Sequence, residues 1–291
     1  MPATLHSLLD GVIDYAGLFP PADLSLEQAL QNYSEYRSSP NARMLGRFIV
    51  QASRLSELGV LLPRFVRGSS PWKISVLIKD SDLDMECVAK FNRDLGEFAI
   101  VDSMEFAPEL FQRIETMPAN LRNEFLVYYE IPLNTPVERL HAIEGKGARA
   151  KARTGGVKPE AIPGAHELAM FVTNCAQAGV PFKATAGLHH PIRSMRALTY
   201  ESNAPKGKMH GFLNLLMAAC LACAGKSTDL VREVLSDENA SSFSFNAAEA
   251  RWKQESVSAS LLQKTREGLF ISFGSCSFDE PVEDLMSLGW L

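Results

Sequence analysis

Residues 148–154 read ARAKART, and residues 181–187 read PFKATAG. Each places a lysine inside a short segment that otherwise has the character of a buried strand. An unpaired charge in a protein interior is strongly destabilising. These cations therefore either serve chemistry or reach a carboxylate or solvent at a strand end, and the surrounding chain decides which fold brings them together.

Similar runs recur along the sequence: VIDYAGLF (12–19), LGRFIV (45–50), KISVLIK (73–79), EFAIVDS (97–103) and EFLVYYE (124–130), then the two lysine segments, then LFISFGS (269–275). The first seven begin at intervals of about 24–33 residues, room for a strand, a helix and two short connections. Helical patterning fills the gaps. In LSLEQALQNYSEYR (24–37), Leu24, Leu26, Ala29, Leu30 and Tyr33 recur near 3.6 spacing, with Asp23 or Ser25 as N-cap. Runs such as FLVYY and SVLI are almost continuously apolar, as parallel strands covered on both faces are. Eight alternating units predict an α/β fold, a single (βα)8 TIM barrel over residues 1–291. A doubly wound sheet is the alternative, but YAGLFPPAD follows the first strand where a Gly-rich dinucleotide loop would stand.

One interval is nearly ninety residues long, between PFKATAG and LFISFGS. It contains HGFLNLLMAACLACA and AAEARWKQESVSASLLQKTREG, both read as helical. The expectation is a long helical insertion between strands 7 and 8, with extra helices at about 195–265 and an exposed loop at SDENASS (236–242).

The bulk properties exclude several classes. With 46% hydrophobic residues the chain can bury one large core, and a net charge of -5 with a pI near 5.8 argues against nucleic acid or an acidic membrane as partner. The longest apolar run, residues 211–225, is too short to span a bilayer. The opening MPATLHSLLDGV lacks a basic start and a sustained apolar core, so a cytoplasmic protein is expected. Five cysteines are too few for a disulfide framework. Cys220 and Cys223 form a C-x-x-C within an apolar helical run, read as buried, reduced and metal-free; Cys87 and Cys175 read alike.

In a barrel, chemistry lies at the C-terminal strand ends. Side-chain alternation puts Lys151 and Arg153 on one face, and Lys183, Thr185 and Gly187 on one face of the next strand. Two neighbouring ammonium groups, partly desolvated, would depress one pKa, and a neutral lysine is a nucleophile toward carbonyls. The bland alternative has one lysine reaching the rim and the other paired with a carboxylate. Glu130 could be a general base or a partner for Lys151, and one of His189 and His190 could face the mouth in an acid/base role. Asp14 and Tyr15 read as structural.

KARTGG (151–156), FKATAG (182–187) and FGSCS (273–277) together resemble the strand-six, strand-seven and strand-eight motifs of deoxyribose-phosphate aldolase, a class I (βα)8 aldolase. The resemblance covers roughly a tenth of the chain, with the motifs in the right order. It implies that Lys151 is the Schiff-base lysine and Lys183 the lysine that tunes it. It also implies that Thr154 and Gly155 follow the first lysine, and that Gly274, Ser275 and Ser277 form a phosphate loop. Asp102 is the positional match to the family's proton-transferring aspartate. AGLHH replaces the family's paired glycines after strand seven, and FDEPVED puts acids where a phosphate would bind. A carboxylate-bearing substrate held by Arg153 fits as well as a phosphorylated one.

The leading expectation is a lyase of aldolase type using Lys151, acting on a small carbonyl compound that bears a carboxylate or a phosphate. It calls for no cofactor, no metal, no nucleic acid and no membrane, and homo-oligomerisation is compatible with it. The rivals are a metal-dependent enzyme using Glu105, Glu130, His189 and His190, and a non-catalytic small-molecule-binding barrel.

Overall fold

The computed structural model describes residues 1–68, 70–116 and 121–291. Eight parallel strands close into a barrel: β1 (Ile13–Tyr15), β2 (Leu45–Gln51), β3 (Trp72–Ile78), β4 (Ala99–Phe106), β5 (Leu126–Glu130), β6 (Arg149–Arg153), β7 (Phe182–Thr185) and β8 (Phe270–Ser275). Around the ring each strand pairs with its chain neighbours, and β8 closes on β1. Every expected strand is present. β1 is shorter than expected, because the chain leaves the ladder after Ala16, whose N–H still donates to the Ser275 carbonyl at 2.7 Å.

Helices cover the outside. Ser25 caps the helix Leu26–Tyr36, its hydroxyl accepting from the Gln28 N–H. The crossover between β4 and β5 departs from the pattern, with a 3-10 segment at Pro108–Thr116 and a one-turn helix at Leu121–Glu124.

Residues with the parity opposite to the lysines form the core between barrel and helices. Phe273 stacks on Phe212 with ring centroids 5.1 Å apart, and Phe182 meets Phe171 edge-on at 5.3 Å. Such aromatic pairs add to the burial of the strand faces. No helix among the described residues is long and apolar enough to cross a membrane.

The span between β7 and β8 holds helices at Phe212–Cys223, Thr228–Ser236 and Ala259–Gly268. It also holds two small antiparallel sheets that the sequence patterning does not announce. A hairpin pairs Ser194–Ala197 with Lys206–Met209. A three-stranded sheet joins Phe243–Phe245, Glu249–Trp252 and Glu255–Ser258. Residues 247–268 are thus helical only from Ala259. Ala250, Trp252 and Val257 alternate with exposed or half-buried neighbours, a strand period, and the turn between them runs through Lys253 at φ +51. That turn lacks the Gly or Asn that usually announces a hairpin. SDENASS is mostly exposed, as expected, although Asn239 caps a 3-10 turn there. The cysteines are free thiols, with Cys175 and Cys220 buried, Cys223 half-buried, and Cys87 exposed rather than buried.

Candidate active site

The barrel interior is polar. Lys151 and Lys183 are register partners on adjacent strands, as are Arg153 and Thr185. Both lysines are buried, at 5% and 1% exposure, and neither is left unpaired. Lys183 Nζ donates to Asp14 Oδ2 at 2.6 Å and to Glu105 Oε1 at 2.7 Å. Lys151 Nζ lies 2.9 Å from Glu105 Oε2 and 3.2 Å from Glu130 Oε2. Glu130 also accepts from Arg153 Nε at 2.8 Å. Three cations and three carboxylates therefore form one chain of ion pairs, with Glu105 as its centre.

The remaining lone pairs are also engaged. Ser75 donates to Glu105 Oε1 at 2.7 Å, and Ser272 donates to Asp14 Oδ2 at 2.7 Å. Asp14 Oδ1 accepts the Arg47 N–H at 2.8 Å. A side chain at position 46 would not leave this room, since a Cβ on Gly46 would collide with Asp14 Oδ1. A buried ion cluster is tolerated when its members are fully hydrogen-bonded, and this one is close to that state.

These contacts fix the charges. Burial alone would raise the Glu105 carboxyl; the charges of Lys151 and Lys183 and their hydrogen bonds outweigh it and hold the group well below the usual carboxylate range. Glu130 is likewise lowered, burial being outweighed by Lys151 and Arg153. For Lys183, burial favours the neutral amine, but Asp14 and Glu105 prevail and raise its pKa. The expectation that one lysine of the pair is depressed by the other thus does not hold for Lys183. Glu105 and Asp14 neutralise its neighbourhood, and the strand motifs mark neither acid as a lysine partner.

Above the lysines opens a cavity of about 570 Å³ whose floor includes Lys151 and Glu105. One wall is apolar, formed by Phe19, Pro20, Pro21, Ile49 and Leu77. Arg153, His189, Cys276 and Glu280 form polar walls, and the inserted hairpin and its loop add Arg196, Leu198 and Tyr200. Lys183 lies below this floor and does not line the cavity.

The other expected site residues divide into those that face the cavity and those that hold its frame. Thr185, Gly187, His189, His190 and Gly274 line it. Thr154 is fully buried, and its hydroxyl donates to the Ala186 carbonyl at 2.6 Å. Gly155 and Gly187 bring two strand ends together: a Cβ on Gly155 would stand 2.9 Å from Gly187 Cα, and Gly187 has φ +74. Ser275 donates to the Ser277 carbonyl at 2.6 Å, and the Ser277 hydroxyl accepts the Glu280 N–H at 3.1 Å. Ser277 thereby engages one N–H in the first turn of the helix Asp279–Ser287, and neither serine lines the cavity.

Asp102 is not brought to the lysines. It accepts two hydrogen bonds from Arg47, at 2.6 and 2.8 Å, in a fork-to-fork pair. The strand-four carboxylate at the lysines is Glu105, three residues on. A bulge in the β3–β4 register lies between the pairs Ile74–Val101 and Ser75–Ser103, so strict alternation counted from the strand start does not identify it.

The four residues considered as metal ligands are engaged elsewhere. Glu105 and Glu130 bind lysines, His189 lies 3.0 Å from Glu280, and His190 lies 2.7 Å from Asp284. Among the described residues no three His, Cys, Asp or Glu side chains converge as a metal-binding group.

No family model and no curated protein matches the chain. Among solved structures, the deoxyribose phosphate aldolase of Aeropyrum pernix, described as a tetramer, is similar to it. Identity is 13%, over 65% of this chain and 86% of that one, with a TM-score of 0.43.

Proposed function

We propose that the protein is a lyase of aldolase type that binds a small carbonyl compound as a Schiff base on Lys151. The supporting observation is the placement of Lys151 Nζ on the cavity floor, between the carboxylates of Glu105 and Glu130. Addition of the amine to a carbonyl carbon requires a proton acceptor beside Nζ. Glu130 is the more open of the two acids, with 10% of its side chain exposed against 1% for Glu105, and takes that role. Loss of water then gives an iminium whose positive charge lies where the ammonium was. The ion cluster keeps its balance, so the step involves no new buried charge. As the carbon–carbon bond breaks, its electrons pass into the iminium and the proton of the departing carbon's hydroxyl passes to the Glu130 carboxylate, so that an aldehyde leaves and an enamine remains on Lys151. Return of that proton to the enamine carbon and addition of water then release the second product.

Glu105 acts as a fixed counter-ion, and Lys183, held protonated, keeps Glu105 and Asp14 in place. Arg153, half-exposed on the same strand face as Lys151, is placed to receive a carboxylate on the substrate, and Arg196 on the inserted hairpin, 3.4 Å from Asp284, is a second cation lining the cavity.

The direct test is turnover. Incubation with hydroxylated 2-oxo acids should release an aldehyde, and Lys151→Arg, which keeps the charge and its partners, should release none. Release by the arginine variant at the wild-type rate would overturn the reading.

A further inference from the structure

A second reactive group lines the cavity wall. Cys276 follows directly on β8, and its Sγ lies 4.0 Å from His189 Nε2. The other ring nitrogen of His189 lies 3.0 Å from Glu280 Oε2, in the first turn of the helix Asp279–Ser287. The Tyr200 hydroxyl, on the loop of the inserted hairpin, approaches the same sulfur at 3.7 Å. All four residues line the cavity that Lys151 floors. A sulfur, an imidazole and a carboxylate in series are the parts of an activated nucleophile: the acid fixes the ring, and the ring holds a proton for the sulfur.

We infer that Cys276, His189 and Glu280 form a nucleophilic thiol site for carbonyl electrophiles, distinct from Lys151 but opening into the same cavity. In the addition step a bond forms between Sγ and the carbonyl carbon, and the carbonyl π bond breaks. The proton that the thiol gives up passes through His189 Nε2 to the new oxygen, giving a thiohemiacetal with no oxidant or leaving group. Tyr200 is placed to donate a hydrogen bond to that oxygen. Burial opposes a charge on His189, but its bonds to Cys276 and Glu280 outweigh this and raise its pKa to about 9, so at neutral pH the proton already resides on the ring beside the sulfur and is handed from there to the new oxygen. No other cysteine has such partners among the described residues. Cys175 and Cys220 are enclosed, burial pushing both thiols up, and Cys87 lies exposed on the helix Ser81–Leu95.

The test is limiting alkylation by iodoacetamide at neutral pH, mapped by peptide mass, with the exposed Cys87 as internal reference. The probe is applied to the Lys151→Arg chain, so the outcome is independent of any Schiff base. Cys276, although only 6% exposed, should react about a hundredfold faster than Cys87, the lower end of what a positioned acid/base group contributes. His189→Gln or Glu280→Gln should remove that advantage while leaving the Cys87 rate unchanged. A short aliphatic aldehyde should protect Cys276 and not Cys87. Alkylation of Cys276 slower than Cys87, or at an equal rate in both variants, would overturn the site, and absence of aldehyde protection would overturn its assignment to carbonyl compounds.

Discussion

Glu105 stands between Lys151 and Lys183: one carboxylate oxygen lies 2.9 Å from the first ammonium and the other 2.7 Å from the second. Two buried lysines on neighbouring strands are compatible with a stable barrel because this single acid is shared. It also divides their labour. Lys183 is locked below the floor by Asp14 and Glu105, whereas Lys151 faces the cavity.

Glu105→Gln should therefore be costly to the fold. It keeps the shape but leaves two buried cations with one carboxylate each, and breaking such a pair costs about 3 kcal/mol or more. Urea denaturation of the variant should show a midpoint lowered accordingly. An unchanged midpoint would mean that the cluster is not charged as described.

The pH dependence of stability should be two-sided. Glu105 and Glu130 titrate below their ordinary value of 4.5, so their contribution is present above it and lost as pH falls below it. Lys183 titrates above its ordinary 10.5, so its contribution is complete below that value and lost as pH rises through the folded pKa. The cluster's contribution should be flat from about pH 5 to 10 and fall at both ends. In Glu105→Gln the acid limb should flatten, which denaturation midpoints across pH would record.

Asp102→Asn should separate the two strand-four acids. Asp102 is bound to Arg47 and not to either lysine. Its loss should lower stability by about 2 kcal/mol, the scale of charged hydrogen bonds, and leave reaction at Lys151 intact. An abolished reaction in a folded Asp102→Asn protein would restore that residue to the chemistry.

Arg153→Ala should act on substrate choice. If the guanidinium receives a carboxylate, the variant should raise KM for 2-oxo acids by about tenfold relative to uncharged aldehydes. Because Arg153 also holds Glu130, both classes should lose some kcat, and the ratio of the two KM values is the informative quantity.

The barrel is legible in the sequence because its strands are almost continuously apolar and evenly spaced, and because lysine parity follows from the two-residue strand period. The partners of those lysines are not. Asp14 and Lys183 are separated by 169 residues, and Glu105 and Lys183 by 78, so no local pattern records their contact. The Cys276–His189 pair is separated by 87 residues in the same way. The small sheet at residues 243–258 is masked by helix-forming residues in EARWKQES and by a turn through Lys253, where glycine would be usual.

A covalent bond between Lys151 and substrate is captured by borohydride trapping. Wild-type protein incubated with a small 2-oxo acid or aldehyde and then reduced should gain the mass of one reduced adduct, and peptide mapping should place it on Lys151. Lys151→Arg should gain none, while Asp102→Asn should gain the full adduct. An adduct on another lysine would remove Lys151 from the chemistry, and no adduct with any carbonyl from neutral to mildly alkaline pH would leave a charged barrel that binds its ligand without a covalent bond.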